Sequence, residues 1–452
     1  MRIVGILALL LSSFFVSGQV LHWKTEPEGH YRGAYQWEHS LQFIDAEIYR
    51  EGDALMIRSR IPEWTDYGFL ESEMQRDSVG LYTFNTYWGK TTARFDSVYR
   101  EWIGHVDYDL SRLDFHMKAV VRPGKNNPVE KTDWTINRGE VQLNGELWVP
   151  ASTEPLPLAI LIHGRGCGDR SGFIGKAEAL SKQGIAVFMY DKRGTGQSTG
   201  DCALAVHDEL VADAVAVFDT LTSQEAFTPG RSGFIGYSAG GWISPAASAK
   251  CNPKPGFLIT VVGPATSVKG QQLDGARAFG KVYGYSQADS LAIERYTNLT
   301  FETRNPSKTY KEMRRLLDEG QGKSWLNWLE DTDIPSSPEA ISELWVQRFS
   351  YDPGPDLQSL QIPVLSLLGG SDPVVPWETN SARFMEVMAN NPYARCVIMP
   401  KASHGMEHGD RQVELDIDLW FKPSYYKFDR VAPGVYEEII DFIHKKTATG
   451  VQ

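Results

Sequence analysis

The stretch Ser232-Gly-Phe-Ile-Gly236-Tyr237-Ser238-Ala239-Gly240-Gly241 reads as a short apolar strand that turns, within two or three residues, into a helix. A serine on so tight a turn sits in strained backbone, and a side chain at either flanking glycine would collide with its surroundings. Gly236 and Gly240 are therefore expected as the structural elbow. The turn lifts the Ser238 hydroxyl above the edge of a sheet. It also aims a helix N-terminus and the Ala239 N–H at any oxyanion formed there.

Working outward, continuous apolar runs flank that strand at intervals: Leu158–His163, Ile185–Tyr190, Phe257–Val262, Ile362–Leu368 and Ala394–Met399. Amphipathic stretches lie between them. Buried strands separated by helices predict a mostly parallel sheet covered on both faces, an α/β fold. Val141–Val149 is expected to enter this region as a hairpin turning at Asn144-Gly145. A helical, aromatic stretch at about 266–359, with Trp325, Trp328 and Trp345, interrupts the strand series and reads as a cap over a site. From about Val20 to Thr135 the texture differs: segments such as Ala54–Ile61 and Phe115–Val121 alternate with period two between Gly and Pro breaks. That predicts a small antiparallel β-domain ahead of the α/β region.

Three further loops follow strand ends. His163-Gly164-Arg165-Gly166-Cys167-Gly168-Asp169-Arg170 resembles a dinucleotide turn, with Asp191 as the acid, but the third glycine of that fingerprint is missing. The alternative is that the Arg165 N–H supplies a second oxyanion donor, with His163 structural. Asp191-Lys192-Arg193 is expected to form a buried ion pair that fixes its loop rather than to act in catalysis. Asp372, in Gly370-Ser371-Asp372-Pro373, and His404, in Ser403-His404-Gly405, each fall just past a strand. The order Ser238, Asp372, His404 supplies a nucleophile, an acid that holds a tautomer and a base that takes the serine proton.

Composition narrows the partners. With 45 Lys and Arg against 57 Asp and Glu the net charge is −12, and no basic stripe offsets it, so nucleic acid is not an expected partner. Four cysteines are too few for a disulfide scaffold. Cys167 and Cys202 can meet if their loops are neighbours, whereas Cys251 and Cys396 offer no clear pairing. Met1-Arg2, the apolar Ile3–Val16 and Ser17-Gly18 read as a secretory signal cleaved near Gly18/Gln19, against an uncleaved anchor as the alternative. No other stretch is long and apolar enough to span a membrane, so the mature chain is expected to be secreted or periplasmic without a span. Trp23, Trp37, Trp64, Trp88, Trp102 and Trp134 read as core, with a platform for a glycan or wall polymer as the alternative.

Together the His-Gly-x-Gly…Asp-Arg loop, Tyr-Asp-Lys-Arg-Gly-x-Gly-x-Ser, Gly-Tyr-Ser-Ala-Gly-Gly, Gly-Ser-Asp-x-x-Val-Pro and Ser-His-Gly resemble the α/β-hydrolase superfamily. The nearer resemblance is to bacterial secreted serine hydrolases, esterase or serine-aminopeptidase-like, with an N-terminal β-domain. It covers about residues 140–446. One departure is Arg165-Gly166-Cys167, where such relatives often carry Ser-Gly-Pro. The resemblance implies an α/β-hydrolase sheet with a helical cap insertion and a division into signal peptide (1–18), accessory β-domain (19–138) and catalytic domain (139–452). It implies catalytic Ser238, Asp372 and His404, oxyanion donors at the Arg165 and Ala239 backbones, and neither metal nor cofactor. The expected reaction is cleavage of a small carboxylic ester through an acyl-enzyme. A serine peptidase acting on short peptides is the alternative, with Glu302, Glu330 or Asp331 holding the substrate amine. An inactive scaffold acting as a binding protein is the alternative of another class.

Overall fold

The computed structural model describes residues 20–22, 26–37, 40–61, 69–108, 111–120, 128–407, 431–432 and 434–448. The expected signal at 1–18 lies outside them. Two sheets organise these residues. Strand β1 (Val20–His22) belongs to the second sheet, and the following strands build the first: β2 (Gly29–Trp37), β3 (Ser40–Glu51), β4 (Ala54–Arg60), β5 (Leu70–Glu73), β6 (Gln75–Arg76), β7 (Leu81–Thr86), β8 (Gly89–Asp96), β9 (Glu101–Tyr108) and β10 (Ser111–Val120).

Every pairing in this first sheet is antiparallel, in the order β5-β4-β3-β2-β10-β9-β8-β7-β6. Its two end strands are neighbours in sequence, separated only by Met74, whose N–H donates to Leu55 O at 2.8 Å. One half of this broken strand pairs with β4 and the other with β7, so the sheet closes on itself. Closure removes the exposed edges of an open antiparallel sheet. Alternation supplies the filling: Leu55 and Ile57 of β4, and Leu113, Phe115 and Met117 of β10, are buried with Tyr31, Tyr35 and Trp102. The Trp102 ring meets Tyr82 edge-on at 5.0 Å.

The second sheet adds β11 (Val129–Arg138), β12 (Val141–Pro150), β13 (Leu158–Ile162), β14 (Ala186–Tyr190), β15 (Ser232–Tyr237), β16 (Phe257–Val261), β17 (Val364–Gly369) and β18 (Ala394–Met399). Its order is β1-β18-β17-β16-β15-β13-β14-β12-β11, parallel from β14 through β1 and antiparallel at β12 and β11. All five residues of β13, β14 and β16 are buried, as two covered faces require. Helices α1 (Ile174–Ser181), α2 (His207–Thr222) and α3 (Gly240–Lys250) follow successive strands. Between β16 and β17 lie α4 (Val268–Val282), α5 (Gln287–Leu299), α6 (Pro306–Glu319), α7 (Trp345–Arg348) and α8 (Gly354–Ser359); α9 (Trp377–Val387) follows β17 and α10 (Val435–Ala448) lies beyond β18.

Two expectations need correction here. Val141–Val149 is not a hairpin: β12 runs straight through Asn144-Gly145, and the chain turns at Gly139, whose φ is +59°. Gly145 is required by a close approach instead. A Cβ there would lie 2.5 Å from Phe188 Cζ and 2.8 Å from Met189 O on the adjacent strand. Asn144 serves the neighbouring loop, donating from its side chain to Gln197 O at 2.6 Å and accepting the Asp191 N–H at 2.8 Å. Nor does the division at 138/139 separate the sheets, because β11 pairs with β12 along its whole length and β1 pairs with β18 at the far edge.

The tryptophans do not share one face. Trp102 lies inside the closed sheet and Trp134 on β11 packs against the other core; nothing is described for the side chains of Trp23, Trp37 and Trp64. Cys167 and Cys202 are joined by a disulfide, while Cys251 and Cys396 are buried and free. No helix among the described residues is long and apolar enough to cross a membrane.

Candidate active site

Ser238 occupies the turn between β15 and α3, with φ at +52°. The elbow has no room for side chains at its glycines. A Cβ on Gly236 would lie 2.3 Å from Gly240 O, and one on Gly240 would lie 2.6 Å from Ile162 O. The Ser238 N–H is held by Val261 O at 3.0 Å, and its own carbonyl accepts the Gly241 N–H at 2.7 Å. Strain at the serine is thus fixed by bonds to a neighbouring strand and to the first turn of α3.

His404 lies beside it, Nε2 2.9 Å from Ser238 Oγ and Nδ1 2.8 Å from Asp372 Oδ2. A carboxylate accepts only, so Nδ1 carries the proton and Nε2 is left to accept from the serine hydroxyl. The Asp372 side chain is fully buried, and its second oxygen accepts the Val374 and Val375 N–H groups at 2.8 and 3.0 Å. The two loops beyond β17 and β18 hold each other: Gly370 N–H donates to Met399 O and Ser371 N–H to Ala402 O. The three residues named from sequence therefore converge from three strand ends into one chain of hydrogen bonds.

Beyond β13 the loop Gly164–Gly168 runs against the elbow. A Cβ on Gly164 would lie 3.1 Å from the Ser238 Cβ. Neither the Arg165 N–H nor the Ala239 N–H donates to a protein acceptor among the described residues, which leaves both free for an oxyanion. His163 is structural in its contacts: Nε2 donates to Tyr190 O at 2.8 Å and the ring packs on Phe173. Burial pushes its pKa down to about 4, so it stays neutral.

The Asp191-Lys192-Arg193 run makes its buried ion pair through Arg193 and Asp213 rather than within itself. Asp191 accepts the Arg170 and Gln197 N–H groups at 2.9 Å each. Arg193 makes a fork with Asp213, 2.7 Å at each tooth, and reaches Glu209 at 2.7 Å. Lys192 points elsewhere, its Nζ 2.7 Å from both Gly164 O and Gly166 O. Sequence reading missed this role because the partners are backbone carbonyls, which leave no residue-type signal.

The cap touches the site at two points. Arg165 Nη2 lies 3.2 Å from both Asp333 Oδ2 and Glu330 Oε2, and its guanidinium stacks 4.2 Å over the Trp345 ring. Trp345 Nε1 donates to the other Asp333 oxygen at 2.6 Å. On the other side, Gln271 of α4 donates to Val374 O, beside the Asp372 loop. Trp325 and Trp345 are buried in the cap itself rather than lining an open pocket. Of the acids considered for an amine, Glu302 pairs with Arg304 at 3.0 Å and Glu330 with Arg165; Asp331 begins an exposed turn. Among the described residues no group of three or more His, Cys, Asp or Glu is arranged to hold a metal ion.

Three comparisons relate this chain to known proteins. A family model described as X-Pro dipeptidyl-peptidase (S15 family) matches residues 139–406. Esterase EstD of Thermotoga maritima is 25% identical over 162 residues, 34% of this chain and 37% of its own length, so the match spans little more than a third of that relative. An uncharacterized 31.7 kDa protein of Escherichia coli, from the traX-finO intergenic region, is 27% identical over 242 residues, 52% of this chain and 79% of its own. Among solved structures, an esterase of Pyrococcus furiosus superposes with a TM-score of 0.44 at 15% identity, over 70% of this chain and 91% of that one.

Proposed function

We propose that this chain, which belongs to the X-Pro dipeptidyl-peptidase (S15) family and is an α/β-hydrolase-fold serine hydrolase, cleaves small carboxylic esters through Ser238, His404 and Asp372. The observation that carries the reading is the continuous relay Ser238–His404–Asp372, with links of 2.9 and 2.8 Å. Ser238 Oγ attacks the substrate carbonyl while His404 Nε2 takes its proton. The carbonyl oxygen, now negative, is held between the Arg165 and Ala239 N–H groups. His404 then protonates the leaving alcohol, and water repeats the sequence in reverse to release the acid.

An ester is favoured over a peptide by the state of the cap acids. Releasing a residue or dipeptide from a free N-terminus calls for an unengaged carboxylate near the mouth. Glu330 and Asp333 are instead spoken for by Arg165, and Glu302 by Arg304, while Asp331 stands exposed at the start of a turn. The family description supports peptide cleavage as the second reading, with Xaa-Pro substrates as its specific form. Export is proposed with the activity: the Cys167–Cys202 disulfide suits an oxidising compartment, and the leader-like residues 1–18 agree.

The deciding assay sets short-chain p-nitrophenyl esters beside Xaa-Pro p-nitroanilides, with Ser238→Ala as control. Ester turnover that needs Ser238, with silent anilides, is the expected result. Serine-dependent anilide turnover of comparable kcat/KM would replace it with the peptidase reading.

A further inference from the structure

We infer that Lys192 is a positioning residue for the oxyanion site, its ammonium group setting the direction of the Arg165 N–H. The inference rests on the reading of Ser238 as nucleophile and Arg165 N–H as oxyanion donor. Lys192 is nearly inaccessible, 5% exposed, and makes no ion pair with any carboxylate among the described residues. Its two side-chain bonds go to carbonyls of the loop beyond β13, Gly164 O and Gly166 O, both at 2.7 Å. Lysine is a compact charge with three donors, so one ammonium can hold two carbonyls of a curved loop.

The geometry of the peptide bond carries the consequence. In a planar trans peptide the C=O of one residue and the N–H of the next point in opposite directions. Fixing Gly164 O toward Lys192 therefore turns the Arg165 N–H away from Lys192, on a loop that runs beside Ser238, whose Cβ is 3.1 Å from where a Gly164 Cβ would stand. The same holds for Gly166 O and the Cys167 N–H. Charge adds to direction, because a cation on the carbonyl polarises the peptide and strengthens its N–H as a donor.

Other anchors of this loop do different work. The disulfide from Cys167 to Cys202 and the Arg165 guanidinium on Asp333 hold side chains, and the Lys192 N–H and Thr195 hydroxyl hold the Gly168 carbonyl, beyond the Arg165 peptide. The Gly164-Arg165-Gly166 peptides are flanked by glycines, which restrain rotation least. With Lys192 removed, the loop stays tethered while its donor is free to turn. Burial pushes the Lys192 pKa down to about 8, because desolvation disfavours the charged form.

The test compares Lys192→Met and Lys192→Gln with the wild-type chain on a p-nitrophenyl ester. Methionine keeps the length and apolar stem, and glutamine retains an amide donor without charge. We expect kcat to fall roughly 10²-fold in Lys192→Met and less in Lys192→Gln, with KM within about twofold, the size of effect seen when one oxyanion donor is lost. Affinity for an alkyl boronic acid, which forms a tetrahedral anionic adduct on a serine, should fall by the same factor as kcat/KM. Binding of the uncleaved ester to each variant in a Ser238→Ala background should not change. A loop merely loosened would weaken ester and boronate together, and that outcome would overturn the inference. So would wild-type kcat in a folded Lys192→Met. If the methionine variant does not fold, the glutamine variant carries the same comparison. Turnover that survives Ser238→Ala would instead overturn the functional reading beneath.

Discussion

The Arg165 guanidinium lies 3.2 Å from the Asp333 carboxylate, joining the loop beside Ser238 to the cap. Asp333 is buried and already accepts from Trp345 Nε1 and from the Glu330 N–H. Arg165→Ala would leave its charge partly uncompensated, and with Arg165 itself one-quarter exposed the expected cost is about 1–3 kcal/mol. Asp333→Asn in the Arg165→Ala background should recover part of that loss. Urea denaturation of the four chains in a double-mutant cycle measures the coupling, and a coupling of zero would show that the contact does not hold the cap.

His163 gives a pH dependence whose sign follows from burial. Its folded pKa is pushed down to about 4, against about 6.5 in an unfolded chain. Above pH 6.5 it is neutral in both states. As pH falls from 6.5 toward 4 the unfolded chain takes up the proton first, so stability is lost through that window and levels off below it, by about 3 kcal/mol in all. His163→Gln removes the titration. Urea midpoints at pH 7, 5.5 and 4.5 should converge between the two chains as pH falls; parallel curves would contradict the assignment.

The disulfide between Cys167 and Cys202 closes a sequence separation of 35 residues. Replacing both cysteines by serine should cost about 2–4 kcal/mol through the unfolded state. Because Lys192 still grips the Gly164 and Gly166 carbonyls, kcat on an ester should change less than fivefold at a temperature where both chains are folded. Thermal melts and initial rates on the double variant check both halves.

The legible parts of this molecule were those carried by residue type and local order. Ser238, Asp372 and His404 each follow an apolar strand, so a parallel sheet brings them to one end, and the structure links them within 2.9 Å. What resisted reading was set by contacts distant in sequence. Asn144-Gly145 carries the local signature of a turn, yet the glycine answers to Phe188 and Met189 across a strand pair. Val129–Arg138 falls on the far side of the boundary read at 138/139, although the turn at Gly139 joins it to Val141–Pro150. Lys192 looked like half of an ion pair because charge invites an opposite charge, whereas its partners are carbonyls.

The central claim is that Ser238 and His404 act as one unit. Its most direct measurement is ester hydrolysis by Ser238→Ala, His404→Ala and the double variant, with melts to show that each is folded. Each single change should lower kcat by roughly 10⁴-fold or more, and the double variant should lose little beyond either, since a residual rate from the oxyanion site alone remains. Turnover near wild type in either folded single variant, or losses that multiply in the double, would place the chemistry elsewhere.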